Sequence, residues 1–390
     1  MSNLDLINQA LNARPKPEGE DPFFAKLPKC ELHVHLEGTI WPVSAILLSG
    51  RNGIHIPIPE VVNVTGPLHL ATFKEIIELE DFHHIYYATT RLIQQATDYG
   101  DLYLEYLLHA QGQNIMHVEM SFDPHARGLD GARIPLDTIL GGIEAAQGAR
   151  MLLDLEISAS MIMCFSRGRP AEEADQILTE LLRSSYRGFV VGVGLDSREK
   201  RYPAIEFKDV FARANEAGLK TAMHCDINEI NSIGHIRQAI YDIGVDRIIH
   251  GLDITIDPSL IPEVIERKIS FACCPFSYLV KVPGFKRLQI KQLLESGVLL
   301  SINSDYPGMY DWRLTDNFQL VGESTIPDSE IVKAARNSIA TAWLPEIKKQ
   351  EMFDKLDRYI NDCMVEWARE VAAQQESDIA VEELSTDPRV

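Results

Sequence analysis

The stretch Leu27-Pro28-Lys29-Cys30-Glu31-Leu32-His33-Val34-His35-Leu36-Glu37-Gly38 reads as a short β-type run that ends in two histidines one residue apart. Side chains alternate along a strand, so His33 and His35 point to one side and Val34 to the other. Two imidazoles side by side at a strand end are placed to share an ion if that end opens on a site. In a closed parallel barrel it does, because strand ends and the loops after them form the C-terminal rim where ligands bind.

Working outward, seven more runs of similar character follow: Ile115–Phe122, Leu155–Cys164, Phe189–Leu195, Lys220–His224, Arg247–Gly251, Ile269–Cys274 and Val298–Asn303, the first run being Cys30–Leu36. Helical periodicity fills the intervals, as in Ala171–Ser185, Phe207–Ala217, Gly234–Ile243 and Leu288–Glu295. Eight strand–helix beats predict an α/β fold, a (β/α)₈ TIM barrel with extra helices. The stretch Ala71–Gln111 is too long for one crossover and predicts an inserted helical layer able to roof the site, and Ile331–Gln374 predicts terminal helices. The expected organisation is a leader at 1–26, one barrel over 27–371 and a solvated acidic tail at 372–390.

Composition removes several classes of function. With 37 Lys plus Arg against 57 Asp plus Glu, the formal charge is −20, which repels phosphate backbones and anionic lipid. A small-molecule substrate is expected, not nucleic acid or a membrane surface; the oligomeric state stays open. The six cysteines are spread over the chain, without CxxC pairs, and mostly in apolar runs, which suits buried free thiols in a reducing compartment. No apolar h-region follows the first residues and no apolar stretch reaches 18 residues, so a cytoplasmic, soluble protein is expected.

The rim residues carry the chemistry. Run one ends in His33 and His35, run five in His224, run six in His250, and Asp305 follows run eight. A lone histidine is most often a hydrogen-bonded core or rim residue. Five such positions on four strands suit zinc, which takes three neutral imidazoles and a carboxylate and leaves a place for a water whose pKa falls toward about 7. Run four ends in Asp196-Ser197 with no lysine before Lys200 to bridge a second ion, so one Zn2+ per chain is expected.

These residues resemble the adenosine and adenine deaminase family. The opening His33-Val34-His35-Leu36-Glu37-Gly38 carries the likeness, which continues through Phe122-Asp123-Pro124, Gly192-Val193-Gly194-Leu195-Asp196-Ser197, Met223-His224-Cys225, Asp246-Arg247-Ile248-Ile249-His250-Gly251, Cys274-Pro275 and Ser301-Ile302-Asn303-Ser304-Asp305. The Leu-Glu-Gly after the histidines and the Gly-Leu-Asp-Ser element look nearer to the adenine branch. The resemblance implies zinc on His33, His35, His224 and Asp305, with His250 as base or orienter of the water and Asp305 also holding that water. It implies hydrolytic deamination of a 6-aminopurine, adenosine or adenine, with His35, Glu37, Ser197 and Tyr306 on the substrate side.

Two departures stand out. The family's acid follows the third histidine by three residues in a His-Ala-Gly-Glu motif, where this chain has Ile227 within His224-Cys225-Asp226-Ile227-Asn228-Glu229. The interval to His250 is about two residues longer, which brings Glu229 into the acid's register, with Asp226 as the rival. Tyr306 stands where a second Asp commonly contacts purine N7; its hydroxyl still donates, but the pocket differs in size and charge. A same-superfamily hydrolase of a modified purine or another ring, and a metal-binding barrel without catalysis, are the alternatives; intact His250 disfavours the second. His117-Val118-Glu119 has the His-x-Glu form of another deaminase class but no Pro-Cys-x-x-Cys follows, so the pair is expected to face the helices. His83, His84 and His235 are expected in surface or packing roles, and Gly192 with Gly194 are too few for a phosphate loop.

Overall fold

In the computed structural model, residues 3–14, 16–17, 19–54, 86–87, 89–125, 133–197, 199–200, 202–225, 230–281 and 286–385 are described. Eight parallel strands follow in sheet order as in sequence: β1 (Lys29–His35), β2 (Ile115–Phe122), β3 (Ser158–Ser166), β4 (Val190–Asp196), β5 (Lys220–Cys225), β6 (Arg247–His250), β7 (Ser270–Cys273) and β8 (Leu300–Ile302). The chain closes the sheet beyond β8, where Asp305 bridges Val34 and the His35 amide donates to the Asp305 carbonyl at 3.0 Å. The Asn303 side chain completes the seam by accepting from the Leu32 amide at 2.7 Å. Strands buried on both faces read as continuous apolar runs, and each fully buried Val, Leu, Ile or Phe contributes about 1.5–3 kcal/mol.

Helices wrap this barrel in chain order: α1 (Asn3–Ala13), α2 (Pro22–Lys26), α3 (Pro42–Asn52), α4 (Ala96–Gln111), α5 (Leu136–Leu152), α6 (Ala171–Arg183), α7 (Lys208–Glu216), α8 (Ser232–Arg237), α9 (Ile261–Glu266), α10 (Pro275–Lys281), α11 (Arg287–Glu295), α12 (Pro307–Tyr310), α13 (Leu314–Gly322), α14 (Asp328–Thr341) and α15 (Glu346–Ser385). The stretch 71–111 ends in α4, which packs against α5; residues 71–85 and 88, on which the expected inserted layer falls, lie outside the described residues. The first 26 residues are no detached leader, since Leu11, Phe23 and Phe24 are buried in the main core and Arg14 pairs with Asp21 and Asp328 at 2.5 and 2.7 Å. The acidic end continues as helix to Ser385. No helix among the described residues is long and apolar enough to cross a membrane, and the six cysteines are free, five of them buried.

The N-terminal mouth of the barrel is plugged. Between α14 and α15, Trp343 packs on Ala222, Ile249 and Ala272, and a Cβ on Gly192 would lie 2.5 Å from its ring, so only glycine admits the plug there. Arg247 lies under that ring at 4.2 Å, donating to Glu119 at 2.6 Å, to the Leu32 carbonyl at 3.0 Å and to the Thr341 carbonyl at 2.9 Å. Contacts to β1 and β2 from β6 can meet only inside the barrel. His117 and Glu119 therefore face the barrel interior, not the helices as the alternation of β2 alone suggested.

Candidate metal and active site

At the opposite end, four strands deliver five buried side chains to one place. The register between β1 and β2 shifts between Glu31 and Val34; Glu31 turns to Tyr106 of α4 and to Ser304, whereas His33 faces the barrel axis. The ring centroids of His33 and His35 are 4.8 Å apart, and those of His33 and His224 4.9 Å. The donor nitrogens of His33, His35 and His224 all fall within 4.8 Å of one another, and a second such triad joins His33, His250 and Asp305. Asp305 Oδ1 lies 3.2 Å from His33 Nε2 and 3.8 Å from His35 Nε2. Three residues at these strand ends, Ser197, His250 and Asp305, hold φ of 70°, 63° and 68°. Left-handed backbone is costly for side chains larger than glycine and collects where a site demands an orientation.

His224 shows what the cluster is prepared for. Its Nδ1 faces the Leu195 carbonyl at 3.2 Å, an acceptor only, so that nitrogen carries the proton and Nε2 presents its lone pair. That Nε2 is buried and has no hydrogen-bond partner among the described residues. Burial first, then the neighbouring His33, His250 and His35, hold the His224 imidazole well below its usual pKa and hence neutral. A buried nitrogen without a partner is costly in a dry protein, and a divalent cation satisfies it; three imidazoles with a carboxylate fit zinc. Asp305 is braced through Oδ2, which accepts from Ser277 at 2.7 Å, and His250 through Nδ1, 3.2 Å from the Tyr278 hydroxyl.

Beside the histidines stands a wall of buried carboxyls. Glu37 Oε1 accepts from the Asp123 amide at 3.1 Å while Oε2 is buried without a partner among the described residues. Asp196 Oδ2 lies 4.0 Å from His35 Nδ1. Burial, and then Asp123, push the Glu37 carboxyl up to about 8, and burial raises Asp123 and Asp196 as well. The Tyr306 ring stacks on His35 with centroids 4.7 Å apart and planes within 3°, and packs against Gly38, where a Cβ would meet it at 2.5 Å. Tyr86 meets Tyr306 edge-on at 5.5 Å. Ser197 Oγ sits 3.0 Å from Ser166 Oγ.

The structure thus gathers His33, His35, Glu37, Ser197, His224, His250, Asp305 and Tyr306 into one neighbourhood. Asp226 and Glu229 lie outside the described residues, as do His83 and His84. Sequence reasoning missed the bracing pair Ser277 and Tyr278, the second carboxyl Asp123, and Tyr86, whose only signal was its place within the polar and aromatic 71–111 stretch. His235, expected at the surface or in packing, is buried and bonded to Glu199.

Comparison with known proteins points to one family. The profile of the family described as adenosine deaminase matches residues 28–359. The chain is 37% identical over 345 residues to an uncharacterised deaminase of Schizosaccharomyces pombe, covering 86% of this chain and 97% of that protein. It is 32% identical over 387 residues to an adenine deaminase of the same organism, covering 98% and 99%. Among solved structures it resembles the adenine deaminase from Arthrobacter aurescens with a TM-score of 0.74 at 27% identity, over 86% of this chain and 99% of that one.

Proposed function

The chain belongs to the adenosine deaminase family, and from that premise we propose that it hydrolyses the exocyclic amino group of a 6-aminopurine, with one zinc ion on His33, His35, His224 and Asp305. The observation that carries the reading is the neutral, unpartnered Nε2 of His224 beside two more imidazoles and a carboxylate. Zinc held there supplies Lewis acidity and eases deprotonation of water near neutral pH.

The chain's own residues do the rest. His250, oriented by Tyr278, takes the proton from the attacking water, and Asp305, held by Ser277, orients that water. A carboxyl group after β5, Glu229 in register or Asp226 nearer the strand, protonates the ring nitrogen. The rise in electron density on the amine then lets it leave as ammonia once it is protonated. Glu37, Asp123 and Asp196 offer hydrogen bonds but no cation, so the pocket favours a neutral base or nucleoside over a phosphorylated one. Tyr306 and Tyr86 replace charge by an aromatic wall, which favours a flat ring and leaves a modified purine as the second reading.

Absorbance tests both. Zinc-loaded protein is incubated with adenine, adenosine, N6-methyladenine and adenosine monophosphate, since loss of the amino substituent shifts the spectrum. Turnover of adenine or adenosine and none of the monophosphate is expected. No change with any aminopurine from protein holding one zinc per chain contradicts the assignment.

A further inference from the structure

Arg167 stands just past the end of β3 with its guanidinium buried, although no ligand group surrounds it. It donates to the main-chain carbonyl of His224 at 2.5 Å and to that of Tyr202 at 3.3 Å, and its Nη2 lies 3.7 Å from Glu199 Oε1. Glu199, equally buried, bonds through Oε2 to His235 Nδ1. His235 belongs to α8, the helix that follows the segment 226–229. One guanidinium–carboxylate–imidazole chain therefore ties His224, the penultimate residue of β5, to α8.

We propose that Arg167, Glu199 and His235 are positioning residues: together they tie the main chain of His224, near the end of β5, to α8 and so hold its imidazole in the geometry that turnover needs. The inference deepens the deaminase reading and rests on it. Three features support it. The three members follow β3, β4 and β5 in turn, so the chain spans the rim beside the histidines instead of bracing a single helix. Its contact with His224 is to the backbone, so it sets where the strand ends without competing for the imidazole. Outer contacts of this kind typically tune activity by 10–100-fold about a metal site, because a ligand or acid displaced by a fraction of an ångström loses rate before it loses binding.

His235 is the member to change, since replacing Arg167 or Glu199 strands a buried charge and endangers folding. Asn places a donor nitrogen near the position of imidazole Nδ1, whereas Ala leaves Glu199 with no partner on α8. His235→Ala, His235→Asn and wild-type protein are compared for zinc per chain, melting temperature, kcat and KM on whichever aminopurine the wild type turns over. The expected result is a roughly 10-fold fall in kcat for His235→Ala, KM within about twofold, zinc unchanged at one per chain, and recovery to within about threefold of wild type in His235→Asn. Unchanged kcat in His235→Ala overturns the proposal, as does an equal loss in both variants or a loss that tracks zinc content. A wild type that turns over no aminopurine refutes the deaminase reading itself, a result distinct from any ratio between variants.

Discussion

The two ends of the barrel interior are built from the same kinds of residue and come to opposite states. The N-terminal mouth holds His117, Glu119 and Arg247; the C-terminal rim holds His33, His35, His224, His250 and Asp305. At the mouth the guanidinium spends its donors on a carboxylate, two carbonyls and the Ser270 hydroxyl, and Trp343 closes over it. At the rim the imidazoles crowd one another, His224 Nε2 has no partner, and three residues take left-handed backbone. A histidine and a carboxylate buried together thus say little by themselves. A partnerless nitrogen is common to both ends, since His117 Nε2 is also buried without a hydrogen-bond partner among the described residues; what separates them is that the rim brings the donor nitrogens of His33, His35 and His224 within 4.8 Å of one another, whereas the mouth is filled by Arg247 and Trp343. The short strand β6 makes the contrast in four residues, with Arg247 at one end and His250 at the other.

Variants at the rim should remove rate and spare stability, and variants at the mouth the reverse. The largest expected effect on rate short of metal loss is in His250→Ala, which should keep one zinc per chain yet lose about 10²–10⁴-fold in turnover; because His250 also fits a triad with His33 and Asp305, a variant isolated without zinc would make it a ligand. Next comes the acid. Glu229→Gln should lower kcat by about 10²-fold with zinc and fold intact, and Asp226→Asn should cost less; the reverse order in parallel steady-state kinetics would give the role to Asp226. The smallest effect on rate belongs to the mouth, where Arg247→Met leaves Glu119 buried without its cation. Urea unfolding should show about 3–5 kcal/mol less stability, while kcat per folded molecule stays near wild type. A large fall in kcat there would dissolve the distinction between the two ends.

Much of this was legible in the sequence, and the rest was hidden for identifiable reasons. The eight strands begin and end within three residues of the apolar runs, because strands covered on both faces must be apolar throughout. The rim histidines and Asp305 were readable since each ends or follows such a run. The inward face of β2 was not, because alternation gives two faces without saying which is inside, and the β1 bulge resets the count on its neighbour. The docking of residues 1–26 rests on Leu11, Phe23 and Phe24 among polar neighbours, too sparse for a pattern. Asp123, Tyr86 and the Arg167–Glu199–His235 chain come from separate segments, and their meeting depends on barrel closure, which no local spacing encodes.

Elemental analysis of wild type, His33→Ala and His117→Ala, each purified after growth with added zinc and assayed for turnover, decides whether the rim or the mouth is the metal site on which activity depends. Close to one zinc per chain is expected in the wild type and in His117→Ala, with none in His33→Ala and its activity gone. Zinc retained by His33→Ala and lost from His117→Ala, or two ions in the wild type, would contradict it.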